Sequence, residues 1–410
     1  MNTQEILTIT IILAALFAYI NNRLLKWPPA IGMAGLSLVF SILLLFVGRS
    51  QFVLSKKVVQ LATSVDFQDL LMNFMLSFLL FAGAIHIDAA SLRKERWPVI
   101  TLATVATILS TFIVGGLTWC LFGAFHLPVP FIHCLLFGAL ISPTDPIAVL
   151  SILKEAKIPG SLELKITGES LFNDGVAVVI FISIATIAQP GAVISAWSVT
   201  TLFLQEALGG VLFGALLGYA GYYAIRSIDD YKVEVLITLA IVMGGYYLAG
   251  RLHISGPLAM VVAGLITGNK TKYEALSERT KDYLGKFWEL VDEILNAVLF
   301  LFIGLEMLII RVDSLILLIG GVCILICLFA RWLSVSLPVS LMRYRLHFEK
   351  NAITILTWGG LRGGISIAMA LSLGPEMHRN EFVSITYIIV LFSILVQGLT
   401  IGKIARRLAP

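Results

Sequence analysis

Charge is what this chain has least of. Only 13% of its 410 residues are Asp, Glu, Lys or Arg, against about a quarter in soluble domains. Hydrophobic residues make up 58%, and the mean hydropathy is +0.94. That balance excludes an ordinary soluble domain and describes a polytopic membrane protein. Cysteine is nearly as scarce. Cys120, Cys134, Cys323 and Cys327 all fall inside apolar runs, so they read as small buried hydrophobes, with no disulfide framework and no structural metal site. The first apolar run has no basic stretch before it and no small-residue cleavage pattern after it, so residues 6–22 are expected to be a retained span. The longest polar loop, 269–287, is too short for a soluble domain. With a net charge of only +4, neither a cofactor nor a nucleic-acid partner is expected.

Cutting the sequence at polar, proline and glycine punctuation leaves thirteen apolar runs, each long enough for a hydrocarbon core of ~30 Å at ~1.5 Å per residue. They lie near 5–24, 28–47, 67–87, 98–122, 130–152, 162–188, 199–225, 233–250, 254–268, 288–310, 314–341, 350–373 and 382–402, and are numbered spans 1 to 13. The expected fold is therefore an all-α polytopic protein of about 13 transmembrane helices in a single domain. Lysine and arginine set its orientation. One set of alternate loops and the C-terminal end hold 21 of them, including Arg93, Lys94, Arg343, Arg345, Lys403 and Arg407. The other set holds 6: Arg49, Lys56, Lys57, Arg251, Arg311 and Arg379. Because cytoplasmic loops carry the excess, the N-terminus is expected outside and the C-terminus inside.

Most charges within the spans then read as interfacial. His86, Asp88, Glu206, Glu306 and Arg331 fall near span ends, where snorkelling or anchoring explains them. Four remain: Asp145, Glu169, Asp174 and Arg362. Asp174 and Arg362 each stand about 12 residues, or ~18 Å, in from the cytoplasmic side. The stretch Thr167-Gly168-Glu169-Ser170-Leu171-Phe172-Asn173-Asp174-Gly175 runs directly into an apolar helix. Glu169 and Asn173 share one helical face there, and Ser170 and Asp174 the adjoining one. An acid at the centre of a span costs ~2.5–3.5 kcal/mol on insertion scales, so this polar stripe implies a pathway or partners.

Two spans look broken. Span 5 contains Ser142-Pro143-Thr144-Asp145-Pro146, whose two prolines remove two backbone donors. Span 12 contains Gly359-Gly360-Leu361-Arg362-Gly363-Gly364. The two breaks are seven spans apart, so spans 1–6 and 8–13 would run in opposite senses: inverted repeats of about 1–190 and 233–410 linked by span 7. Discontinuous helices at matching positions point to a substrate site at mid-membrane. Four half-helix ends meeting there would be balanced by Asp145 at the positive ends and Arg362 at the negative ones. Asp174 has no obvious cation of its own, which suits a mobile one. A carboxylate, a hydroxyl and freed carbonyls are hard oxygen ligands for sodium or potassium, and protons compete for the same oxygens.

These three motifs, in this order, resemble the monovalent cation:proton antiporters of the NhaP-like and animal sodium/proton exchanger type, in a layout covering essentially the whole chain. The resemblance implies a homodimer of thirteen-span inverted-repeat subunits in which spans 5 and 12 cross. By carry-over, Asp174 binds the cation or the proton in turn, Asn173 supports it, and Asp145, Thr144 and Ser170 complete the shell, Asp174 and Asp145 holding the transported Na+. The resemblance also implies a structural ion pair between Glu169 and Arg362. It links the single acid of Asn173-Asp174 to electroneutral exchange of Na+, with Li+ or K+ as alternatives, serving pH and sodium homeostasis in a prokaryotic inner or plasma membrane. Other classes fit less well. An intramembrane aspartyl protease would carry Gly-x-Gly-Asp, which is absent; a cation channel could also use broken helices; and a membrane sensor would be expected to carry a soluble domain.

Overall fold

The computed structural model describes all residues except 1–2, 48–59, 61–65, 146–148, 151, 154–155, 157, 190–195, 272–277, 309, 311–312, 347 and 409–410. Pro146 and the loop bases Arg49, Lys56, Lys57, Lys154, Lys157, Lys272 and Arg311 lie outside the described residues. Among the described residues there are helices and no strands, as the apolar runs predict. Helix occupies every one of the thirteen runs. Among the described residues, eight helices are long and apolar enough to cross a membrane: Gln4–Leu25, Phe67–Ile85, Arg96–Ala124, Gly160–Ala188, Thr200–Arg226, Tyr231–Arg251, Ser314–Met342 and Arg379–Leu408. Three shorter apolar helices cover Pro29–Leu44, Phe131–Ile141 and Gly256–Asn269. Span 10, Glu278–Glu306, begins well before its apolar run, because a charged, amphipathic stretch continues the helix at its N-terminal end.

The boundaries follow local chemistry. Asp88, Asp230, Ser255 and Asp313 each cap a helix by accepting from a backbone N–H two or three residues on, at 2.8–3.3 Å. The non-glycine residues with positive φ, Lys26, His126, His253, Asn351 and His378, all stand at turns beside helix ends. Two sets of helices pack together. Spans 4, 5, 11 and 13 surround the two breaks, where Phe382 of span 13 stacks on Phe137 of span 5 at 5.2 Å and meets Phe122 of span 4 edge-on at 6.0 Å. Spans 2, 3, 7, 8, 9 and 10 form the other set.

In that second set, Ser37 and Ser41 of span 2 donate to the carbonyls of Leu301 and Gly304 of span 10, at 2.6 and 2.8 Å. The fully buried Trp288 of span 10 packs on Phe81 of span 3 and donates to Thr238 of span 8 at 3.1 Å. Gly210, Gly214 and Gly218 of span 7 leave room for span 9 at Ser255, Ala259 and Ile266, so this stripe of small residues serves packing within the chain. Span 6 touches both sets: its Gly168 faces Val99 of span 4 and its Gly175 faces Leu258 of span 9.

A clamp ties together the starts of spans 4, 6 and 12. Lys165, 1% exposed, sits 3.5 Å from Glu95 and 3.1 Å from Glu349, above the Phe348 ring. Ser161 also donates to Glu349. Burial pushes the Glu349 carboxyl up, but the Ser161 and backbone hydrogen bonds and the Lys165 ammonium together hold it below the ordinary 4.5. A depressed folded value means that this contribution is fully present above the ordinary glutamate range and is lost as pH falls through the folded value. Glu349→Gln should therefore lower stability by about 1–2 kcal/mol near neutral pH. In thermal melts the gap from wild type should close as the pH drops below about 4.

Candidate ion-exchange site

The unwound backbone comes first, because in a membrane every freed N–H and C=O needs a partner. Span 5 is helical over Phe131–Ile141 and has no helix from Pro143 to Asp145. Span 12 is split into Ala352–Trp358 and Gly364–Leu371. The two breaks touch: Asp145 N–H donates to Leu361 O at 2.8 Å. A Cβ on Gly363 would overlap the Asp145 carboxylate, so only glycine allows that approach. Asp145 thus sits at the positive N-terminal end of the second half of span 12. Arg362 lies at the opposite pole, where its Nη1 donates to Ser142 O and, at 2.9 Å, to Pro143 O, the carbonyl end of the first half of span 5.

The remaining free ends are met by span 13, which opens into a wide π turn over Ser393–Gln397. Arg362 N–H donates to Ser393 Oγ at 2.8 Å, Ser393 donates to Gln397 Oε1 at 2.9 Å, and Gln397 Nε2 donates to Trp358 O at 3.1 Å.

The ion pair differs from the predicted one. Glu169 does not pair with Arg362; it forms a two-pronged bridge with Arg331 of span 11, Nη1 to Oε1 and Nη2 to Oε2, the latter at 3.0 Å. Arg331 also donates to Leu356 O from Nε and Nη2, at 3.3 and 3.1 Å. Gly360 gives its guanidinium passage, since a Cβ there would sit 2.6 Å from Nε. Arg331 is no snorkelling residue, being only 6% exposed. The correction has a geometric reason. Counted from Met342, Arg331 stands about 11 residues, ~16 Å, from the end of its helix, and Glu169 about 9 residues, ~13 Å, from Gly160, so the two share a depth. Arg362 stands at the level of the breaks, where carbonyls claim it. The same count would have found Arg331 in the sequence. Ser393 and Gln397 carried no comparable signal.

The other predicted residues gather around the span 5 break. Asn173, fully buried, donates from Nδ2 to Thr144 Oγ1 at 2.8 Å, and its Oδ1 accepts from Thr144 N–H at 3.4 Å. Thr144 Oγ1 lies 3.0 Å from Ser170 Oγ. Asp174, next along span 6, is 7% exposed and within electrostatic reach of Asp145. It makes no ion pair among the described residues. The site therefore combines a buried carboxylate without a fixed counter-charge, a second carboxylate at a helix end, two hydroxyls and a carboxamide, all hard oxygen donors.

Crossed broken helices with a buried carboxylate between them define a secondary transporter. Residues 11–407 match the transmembrane family described as sodium/hydrogen exchanger. The Na(+)/H(+) antiporter NhaP of Pseudomonas aeruginosa is 48% identical over 409 residues, 97% of this chain and 95% of that protein. The Na(+)/H(+) antiporter NhaH of Halobacillus dabanensis is 34% identical over 392 residues, 94% of this chain and 93% of that one. In fold, the chain is similar to the sodium proton antiporter MjNhaP1 of Methanocaldococcus jannaschii, with a TM-score of 0.78 at 19% identity over 98% of this chain and 97% of that one. The chain belongs to the sodium/hydrogen exchanger family. It is a multi-pass monovalent cation:proton antiporter, a transporter and not an enzyme.

The observed pairing predicts a double-mutant cycle. Removing either Glu169 or Arg331 alone should cost about 3–5 kcal/mol, by stranding a buried charge. Glu169→Gln with Arg331→Gln should recover much of that loss in detergent melts, whereas Glu169→Gln with Arg362→Gln should be close to additive.

Proposed function

We propose that this protein exchanges Na+ for H+ one-for-one at Asp174. The observation that carries the reading is a buried carboxylate in the oxygen-lined gap beside the crossed breaks, with no cation of its own among the described residues. Two nearby arginines are already committed, Arg331 to Glu169 and Arg362 to the span 5 carbonyls. The remaining neutralising charge is the cargo: a proton or a monovalent cation on the same oxygens.

In this reading Thr144 and Ser170 offer hydroxyl ligands. Asn173 holds Thr144 in place and so keeps the unwound segment open. Asp145 stays ionised at the helix end. Glu169 with Arg331, together with Arg362, keeps the broken backbone in register. Sodium is favoured because the similar relatives are Na(+)/H(+) antiporters, with lithium and potassium as competing cargoes. The carrier works as a homodimer in a prokaryotic inner or plasma membrane, with its N-terminus outside and C-terminus cytoplasmic, and serves pH and sodium homeostasis. Its single domain consists of inverted repeats, about 1–190 and 233–410, joined by span 7.

Asp174→Asn keeps the volume but cannot alternate between proton and cation, so sodium-driven proton flux in vesicles should fall to background while the melting temperature stays near wild type. Wild-type turnover by this variant would sink the assignment. Stoichiometry has its own test. One titrating group exchanged for one monovalent cation leaves the carrier's charge unchanged, so potentials clamped with potassium and valinomycin should leave the sodium-driven rate unaltered. A rate that varies several-fold with potential would require a second proton, with Asp145 its source. A channel would instead pass current with no coupled proton movement.

A further inference from the structure

Span 10 carries an acid outside the site described above. Asp292 is half-buried, and the charges acting on it are Asp145, across the gap in span 5, and its own neighbour Glu293. One turn further along the same helix, Asn296 is only 6% exposed and faces the Asp292 carboxylate, yet among the described residues neither of its amide atoms closes a hydrogen bond of normal geometry. Leaving an amide unpaired in an interior is costly unless something polar fills the place.

The level of this pair follows from Leu299. A Cβ on Gly364 would overlap Leu299, which therefore abuts the start of the second half of span 12. Asn296 stands about one turn, and Asp292 about two turns or ~10 Å, toward the cytoplasmic end of span 10 from that point. The pair therefore lies between the cytoplasm and the Asp145 carboxylate. It belongs to the set of helices anchored by Trp288, Ser37 and Ser41, across from the helices that hold Asp174.

We propose that Asp292 and Asn296 form a cytoplasmic way-station that takes a monovalent cation from water and passes it to Asp145 and Asp174. The inference rests on Asp174 as the exchanging carboxylate. One carboxylate and one carboxamide are hard, weak ligands, suited to an ion that must leave again. Among the described residues no group of three His, Cys, Asp or Glu side chains could hold a metal ion, so tight capture of a divalent cation is not what this pair is built for. The carboxylate attracts the ion, and the amide oxygen takes the place of one of its hydration waters.

The test is sided. Sodium chloride titrations of proton flux are run on proteoliposomes sorted into inside-out and right-side-out populations. Asp292→Asn should raise the KM for Na+ at the cytoplasmic face about tenfold, as loss of one partly screened unit charge predicts, and change it less than twofold at the outer face. Asn296→Ala should shift the same face in the same direction by a smaller factor, and Asp292→Glu should restore most of the affinity. A KM unchanged at both faces, or raised equally at both, overturns the proposal. If Asp292→Asn does not fold, Asn296→Ala decides alone: a raised cytoplasmic KM supports the station and an unchanged one refutes it. Asp174→Asn is run alongside. Silence from that variant at both faces upholds the exchange site independently of Asp292, whereas activity from it removes the exchange site itself.

Discussion

Backbone that is unwound inside a membrane has to find every hydrogen bond within the protein. That requirement organises this molecule. Two helices break where they meet, and each break frees carbonyls at one end and N–H groups at the other. Arg362 takes the carbonyls of Ser142 and Pro143, Arg331 takes Leu356, Gln397 takes Trp358, and Asp145 and Leu361 bond across the crossing. Glycine recurs here for steric reasons. Gly360 clears the Arg331 guanidinium and Gly363 clears the Asp145 carboxylate. The two arginines do different work, one as a helix-end cap and the other as half of an ion pair that also caps.

This arrangement leaves Asp174 uncommitted. Among the described residues, Arg331 is paired with Glu169 and Arg362 with the Ser142 and Pro143 carbonyls, and Asn173 and Thr144 are tied to each other. A buried carboxylate in that position is stable only when protonated or when holding a small cation, which is the alternation an exchanger requires. Span 6 bears the carboxylate, and it packs on span 4 of one helical set and on span 9 of the other. The proposed ion site therefore lies along the seam between the sets.

Much of this was legible in the residues. The Pro143 and glycine-rich breaks and the polar stripe from Glu169 to Asp174 spoke through local rules about donors, helix periodicity and burial. Gly210, Gly214 and Gly218 of span 7 permit close packing, but nothing local names span 9 as the partner. The ion pair was misread because resemblance supplied Arg362, and Arg331 was judged by its nearness to a span end instead of by its ~16 Å depth. What could not be read were partners far apart in sequence. Nothing local says that Ser393 and Gln397 receive the span 12 break, that Lys165 meets Glu349, or that Asp292 lies within electrostatic reach of Asp145. Those depend on which helices become neighbours.

The central claim is that one carboxylate, Asp174, gives up its proton as the cation arrives. Proton release can be counted directly by adding sodium chloride to the purified protein in weakly buffered detergent solution containing a pH indicator. The account predicts about one proton released for each sodium bound, declining as the pH is raised and Asp174 empties beforehand, and none from Asp174→Asn. Sodium binding without proton release, or undiminished release from Asp174→Asn, would contradict it.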